Sequence, residues 1–201
     1  AYALARQGET ISIDLFKHPE RLLKAAADTR PTLIGLANYG WNENLNKAIG
    51  TFLRDQYPEV ILVAGGPNID PDPVQRAAFL RKHDYLDFII VDGGEESFSE
   101  LIDWCRSIDR DLNDLPMNMV RLDGDRIVAT PERAMSKQIV GIESPYLGGH
   151  LDEFLEAGMA PMFESNRGCP FKCTFCAWGS ASKDLVRRFD LDMTLAEIEY
   201  V

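Results

Sequence analysis

Five apolar residues in a row, Val60-Ile61-Leu62-Val63-Ala64, end at Gly65-Gly66-Pro67. A run this short and this apolar suits a strand buried on both faces, the kind found in parallel sheets. The rest of the first half repeats the theme. Thr32 to Ala37 and Leu86 to Val91 are further short apolar runs, and Ile11 to Phe16 alternates like a strand. Between them, Glu20–Asp28, Asn42–Gln56, Asp72–His83 and Ser97–Cys105 carry apolar residues at helical spacing. In Asn42–Gln56 the expected apolar face is Leu45, Ile49, Phe52 and Leu53. Alternating strand and helix with short loops predicts an α/β fold, a doubly wound parallel sheet. Such a sheet takes ligands past the carboxyl ends of its strands, where the strand order switches. The loops there are Ala37-Asn38-Tyr39-Gly40-Trp41, Gly65-Gly66-Pro67-Asn68 and Asp92-Gly93-Gly94-Glu95-Glu96. Glycine in these loops either lets backbone approach a flat ligand or merely forms the turn.

Beyond residue 106 the pattern changes. Met119–Leu122 and Asp125–Val128 flank Asp123-Gly124, a hairpin signal. Residues 131–160 carry prolines and glycines and read as a linker. Met162–Asn166 reads as a strand, and Arg187–Val201 enters a helix with Leu191, Leu195 and Ile198 on one face. The expected units are 1–110, an α/β domain; 111–160, hairpin and linker; and 161–201, the start of another domain. The first residues read as the tail of a helix and the last stop inside a periodic segment, so a piece of a longer protein is expected.

Between that strand and helix lies the densest chemistry. Cys169, Cys173 and Cys176 are three of the four cysteines, spaced C-x3-C-x2-C. Eight residues cannot pair three thiols as disulfides without a remainder. They can wrap one inorganic centre. Thiolates hold iron–sulfur clusters, and three of them on a four-iron cluster leave one iron open for substrate. Zinc would need a fourth ligand, which His150 or Cys105 could supply only from a distance. A ferredoxin-type run would carry a fourth nearby cysteine. Cys105 shares a helix face with Leu101 and Trp104 and reads as a buried free thiol. His18 and His83 read as surface or capping residues. Asp92, Glu95 and Glu96 suit either a polar ligand or a solvated turn.

The trio, with aromatic Phe175 directly before Cys176, resembles the signature of the radical S-adenosylmethionine (SAM) enzymes. The resemblance implies a [4Fe-4S] cluster on Cys169, Cys173 and Cys176. It also implies SAM on the open iron, with Phe175 beside the adenine. A doubly wound domain ahead of the trio is similar to the cobalamin-binding class of that family. On that likeness Ala37, Asn38, Tyr39, Gly65, Gly66, Pro67, Gly93, Gly94 and Glu95 contact cobalamin, and 161–201 begins a partial TIM barrel. The usual Ser-x-Leu of the cobalamin fold falls on Ala37-Asn38-Tyr39, which keeps neither of its defining residues. The class opens with a strand before its first helix; here the chain begins inside that helix, and a gap at the centre of the sheet is expected. Such a piece either folds poorly or pairs with another chain as an oligomer.

The resemblance implies methyl transfer to an unreactive carbon or phosphorus of a small-molecule substrate. The electron donor would be a flavodoxin or ferredoxin. Two other readings stay open: a radical SAM methylthiotransferase, and a non-enzymatic α/β module with a structural metal loop. The net charge of −11 repels phosphate and argues against nucleic acid. No run approaches the ~18–20 apolar residues of a membrane span. Clustered thiols and the lack of a visible signal peptide point to the cytoplasm.

Overall fold

The structure, a computed structural model, describes residues 1–171, 173, 174 and 185–201. In chain order its elements are α1 (Tyr2–Gln7), α2 (Pro19–Thr29), β1 (Leu33–Ala37), α3 (Glu43–Gln56) and β2 (Ile61–Gly65). Then come α4 (Pro73–Lys82), β3 (Phe88–Ile90), α5 (Glu95–Arg106), β4 (Met119–Asp123) and β5 (Arg126–Ala129). The last are α6 (Asp152–Glu156), β6 (Asn166–Arg167), β7 (Arg187–Arg188) and α7 (Leu191–Tyr200). The chain divides into two compact units, Ser12–Arg133 and Ala1–Ile11 with Ala134–Val201.

The unit Ser12–Arg133 is the α/β body. Among the described residues its sheet runs β1-β2-β3-β4-β5, with β1, β2 and β3 parallel and β4 and β5 antiparallel. Successive strand residues point to opposite faces, and the core divides accordingly. Ile34, Leu36, Leu62, Ala64, Ile89 and Val91 pack with Ala26 of α2, Ile49 and Leu53 of α3, and Leu80 of α4. Ile61, Val63, Phe88 and Ile90 pack with Leu101, Trp104 and Cys105 of α5. Helices therefore cover both faces, as the apolar runs predict.

Four expectations are corrected in this unit. Among the described residues the strand order is sequential, with neither a switch point nor a gap at the centre, and β1 lies at an edge. Ile11–Phe16 forms no strand. Its alternation supplies a face, but a strand exists only where a neighbour takes its backbone hydrogen bonds. The hairpin is not part of a linker. β4 pairs with β3 through Ile89–Val120 and Ile90–Met119 and extends the sheet, moving the boundary from 110 to 133. On α3, the buried stripe is Asn46, Ile49, Gly50 and Leu53, while Leu45 and Phe52 stay exposed.

In the other unit, α1 ends at Gly8, which sits at φ 58. The chain start is thus grouped with residues 134–201 rather than with the sheet. The predicted strand Met162–Asn166 shrinks to Asn166–Arg167, paired antiparallel with Arg187–Arg188. The backbone of Met162 is otherwise engaged. Its N–H donates to Tyr146 Oη and its carbonyl accepts from the same hydroxyl, both at 2.9 Å. The helix predicted from Arg187 starts at Leu191, where Asp190 caps it by accepting from Met193 N at 3.0 Å.

Candidate functional site

Because β1, β2 and β3 are parallel, their carboxyl ends and following loops share one edge of the sheet. Ala37 and Gly65 are the last residues of β1 and β2, paired in register. The ladder continues one residue further. Asn38 N donates to Gly65 O at 2.6 Å, and Asn68 N donates to Asn38 O at 3.3 Å. This close approach explains Gly66. It sits at φ +117, and a Cβ there would lie 2.8 Å from Asn38 O. Its glycine is required by the fold itself. Gly65 differs, since a Cβ would meet Ile90 O at an ordinary 3.6 Å. Gly94 caps α5, and Glu95 is the first residue of that helix. Pro67 is exposed, and Gly93 is half-buried on the same edge.

Asparagine side chains tie the first loop together. Asn42 Nδ2 and Asn46 Nδ2 both donate to Ala37 O at 2.9 Å. Tyr39 N donates to Asn42 Oδ1 at 2.8 Å, and Asn46 Nδ2 also reaches Asn38 Oδ1 at 3.2 Å. Tyr39 stacks on Trp41 at 4.6 Å between ring centroids, and Trp41 is 82% exposed. An aromatic plate thus stands free beside a locked polar loop. Asn38 itself is 2% exposed, and its Nδ2 has no partner among the described residues. A buried donor left unmade costs about 1–3 kcal/mol.

Glu43, at the head of α3, braces the second loop. Its Oε2 accepts from Asn68 Nδ2 at 2.9 Å, and its Oε1 accepts from Lys82 Nζ and His83 Nε2. The Lys82 and Asn68 hydrogen bonds hold its carboxyl down at about 2. His83 is not a surface residue. It is fully buried between Phe79 and Tyr85, and burial pushes its pKa down against the pull of Glu43. His18 is exposed at the start of α2. Glu96 pairs with Arg133 Nε at 2.9 Å. Asp92 is exposed, at φ 59.

The sequence marks Asn68 only as a loop residue and His83 only as a surface or capping one, and it does not single out Asn42, Glu43 or Asn46. One signal was available: Asn46 sits on the same helical stripe as Ile49 and Leu53. A polar side chain on an apolar stripe must be satisfied locally.

The cysteine loop lies in the other unit. Gly168, at φ +90, follows β6. Arg167 lies over the Phe189 ring at 5.1 Å and donates to Glu164 at 2.9 Å. Cys169 is half-buried and Cys173 exposed, both with free thiols. Cys176 and Phe175 lie outside the described residues. Among the described residues no three His, Cys, Asp or Glu side chains converge on a metal position. Cys105 is a poor candidate for a ligand, since core burial pushes its thiol up to about 11.

Comparison with known proteins places the chain. It is 33% identical over 176 residues to the cobalamin-dependent radical SAM methyltransferase TokK of Streptomyces tokunonensis, a match covering 85% of the chain. It is 30% identical over 182 residues, 88% of the chain, to the 2-(S-pantetheinyl)-carbapenam-3-carboxylate methyltransferase of Streptantibioticus cattleyicolor. The chain is a relative of the cobalamin-dependent radical SAM enzymes. Each match is longer than either compact unit, so the likeness includes residues of both. The chain spans about a quarter of the length of these enzymes (25% and 26%). The fold agrees with a solved one, the apo form of the cobalamin-dependent S-adenosylmethionine radical enzyme OxsB. The TM-score is 0.66 at 20% identity, over 91% of this chain and 25% of that one. No protein-family model matches the chain.

Proposed function

We propose that this chain is the cobalamin-side body and cluster loop of a radical SAM methyltransferase. Its target would be an unreactive carbon or phosphorus of a small molecule. The observation that carries this reading is the likeness to two methyltransferases across most of the chain. The residues fit the implied groups. Cys169 and Cys173 are free thiols on one loop, the donor type that iron–sulfur clusters take, and Cys176 completes the spacing. At the sheet edge, a buried unmet amide and an exposed aromatic plate suit a large, flat ligand rimmed with hydrogen-bonding groups.

Bound here, the cofactors would supply reductive cleavage of SAM and a carrier for the methyl group, chemistry that belongs to the cofactors. The protein's share is placement. Cys169, Cys173 and Cys176 would hold the cluster. Ala37, Asn38, Tyr39, Gly65, Gly66, Pro67, Gly93, Gly94 and Glu95 would line the cobalamin edge. Asn42, Asn46 and Glu43 would keep the first two loops rigid. A flavodoxin or ferredoxin would supply the electron. Among the described residues no helix is long and apolar enough to cross a membrane.

The test is anaerobic purification and reconstitution of the intact protein. About four irons per chain, absorbance near ~400 nm typical of such a cluster, bound cobalamin, and 5′-deoxyadenosine from SAM plus reductant are expected. Zinc in place of iron, or no cobalamin, overturns the reading.

A further inference from the structure

The chain passes between the two compact units at Ile11–Ser12 and again at Arg133–Ala134, and the two crossings are built differently. Residues 11–16 form neither helix nor strand. At the other crossing, the last two residues of the sheet body are fastened to helices on opposite faces of the sheet. Glu132 Oε1 accepts from Arg76 Nη1 of α4 at 2.8 Å. Arg133 Nη2 donates to Glu100 of α5 at 2.8 Å, and Arg133 Nε lies 2.9 Å from Glu96 of the same helix. These three side chains are only part-exposed, so water screens them less than it screens a fully exposed pair.

A buried asparagine ties this exit to the sheet edge. Asn118 is buried and sits at φ +64, a left-handed conformation that asparagine tolerates better than most residues. Its carbonyl accepts from Val91 N at 2.9 Å, and its N–H donates to Pro131 O at 3.0 Å. Its Oδ1 accepts from Arg133 N at 2.6 Å. Val91 immediately precedes loop 92–94, and Glu96 and Glu100 lie on the helix that follows it. The loop is therefore held from both ends by the segment that carries the chain out of the body.

We propose that Arg133 is a positioning residue. With Asn118 it makes the third edge loop and the exit toward the cysteines one rigid piece. Transfer of a methyl group between two cofactors needs fixed geometry, and a misplacement of ~1 Å can cost about a hundred-fold in rate. The inference rests on the two-cofactor reading above and adds the residue that fixes the connection. Neither Arg133 nor Asn118 has to touch a cofactor for this.

Arg133→Gln, and the double variant Glu96→Gln with Glu100→Gln, break the clamp from either end in the intact protein. The first readout needs no cofactor. Amide hydrogen exchange should quicken about ten-fold at residues 91–95 and 131–133, the loss of one charge-assisted hydrogen bond. Loops 37–42 and 65–68 should keep their wild-type exchange. Both variants cut the same contact, so combining them should add nothing further. The second readout uses enzyme with unchanged iron content at saturating cobalamin, over the first turnover. S-adenosylhomocysteine, left when SAM gives up its methyl group, requires both cofactors, whereas 5′-deoxyadenosine requires the cluster alone. The ratio of the first product to the second should fall about ten-fold or more in either variant.

Unchanged exchange at 91–95 in Arg133→Gln would overturn the inference. So would exchange that quickens equally in all three loops, the mark of general loosening, and so would an unchanged product ratio. Wild-type protein that takes up no cobalamin or builds no cluster would instead refute the cofactor reading, and the proposal with it, whatever the exchange shows.

Discussion

Residues 12–133 contain both apolar clusters, one on each face of a hydrogen-bonded sheet. Around the cysteines the balance differs. Met162 is 83% exposed and Phe171 68% exposed, and the flanking strands are two residues long. The sheet body is held by burial of its own side chains, worth about 25 cal/mol per Å² of apolar surface. Among the described residues around the cysteines there is little such burial, and on the proposed reading a metal centre would organise this segment, its binding energy becoming folding energy for the chain around it. The first region should present its site before any ligand arrives. The second should depend on what it binds.

The sharpest test separates the two sites. Cys173→Ala should remove essentially all iron after anaerobic reconstitution. It should leave cobalamin binding and far-ultraviolet circular dichroism of the sheet body unchanged. Iron analysis beside a cobalamin titration checks this, and loss of both together would break the distinction.

The converse substitution acts on the sheet. Leu62→Ala truncates a fully buried side chain of the central apolar run and should cost about 2–5 kcal/mol. The urea midpoint should fall by the corresponding amount. Iron content per folded chain should not change.

Gly66→Ala is expected next in size, about 1–3 kcal/mol for a strained backbone position. It forces a side chain into φ +117 and against Asn38 O. Cobalamin affinity should drop with it, because the same backbone contact holds both loops. A crystal structure of the variant with Asn38 undisplaced, together with an unchanged urea midpoint, would contradict this account.

The smallest effect is acid sensitivity through the Glu43–His83 pair. Burial lowers the His83 pKa in the folded protein, so the unfolded chain takes up the proton first. Stability should be complete above the ordinary histidine value of about 6.5 and should fall as pH drops below it. Glu43, held at about 2, loses its contribution lower down, between the ordinary glutamate value of about 4.3 and that point. His83→Gln should flatten the upper part of the curve. Urea midpoints at pH 7.5 and 5.0 decide it: equal losses in wild type and variant would remove His83 from the account.

Much of the sheet was legible because its cause is local. Val60–Ala64 is apolar enough to be buried on both faces wherever it goes, and the helices beside it carry a spacing that only one face can use. The family was legible for the same reason, since the C-x3-C-x2-C spacing that carries the resemblance is written along the chain. So was Cys105, one apolar face of one helix.

What the tertiary structure decided depends on partners far apart in sequence. Ile11–Phe16 and Met119–Asp123 both carry strand-like patterns, yet only the second finds an open edge, beside β3. His83 reads as the polar end of a helix until Phe79, Tyr85 and Glu43 close around it. The facing of the Asn38 amide is set by Asn46 eight residues on, through a carbonyl that neither residue owns. Periodicity tells which side of an element is apolar. It carries no information about which neighbour arrives there, and hydrogen-bond direction depends on that neighbour.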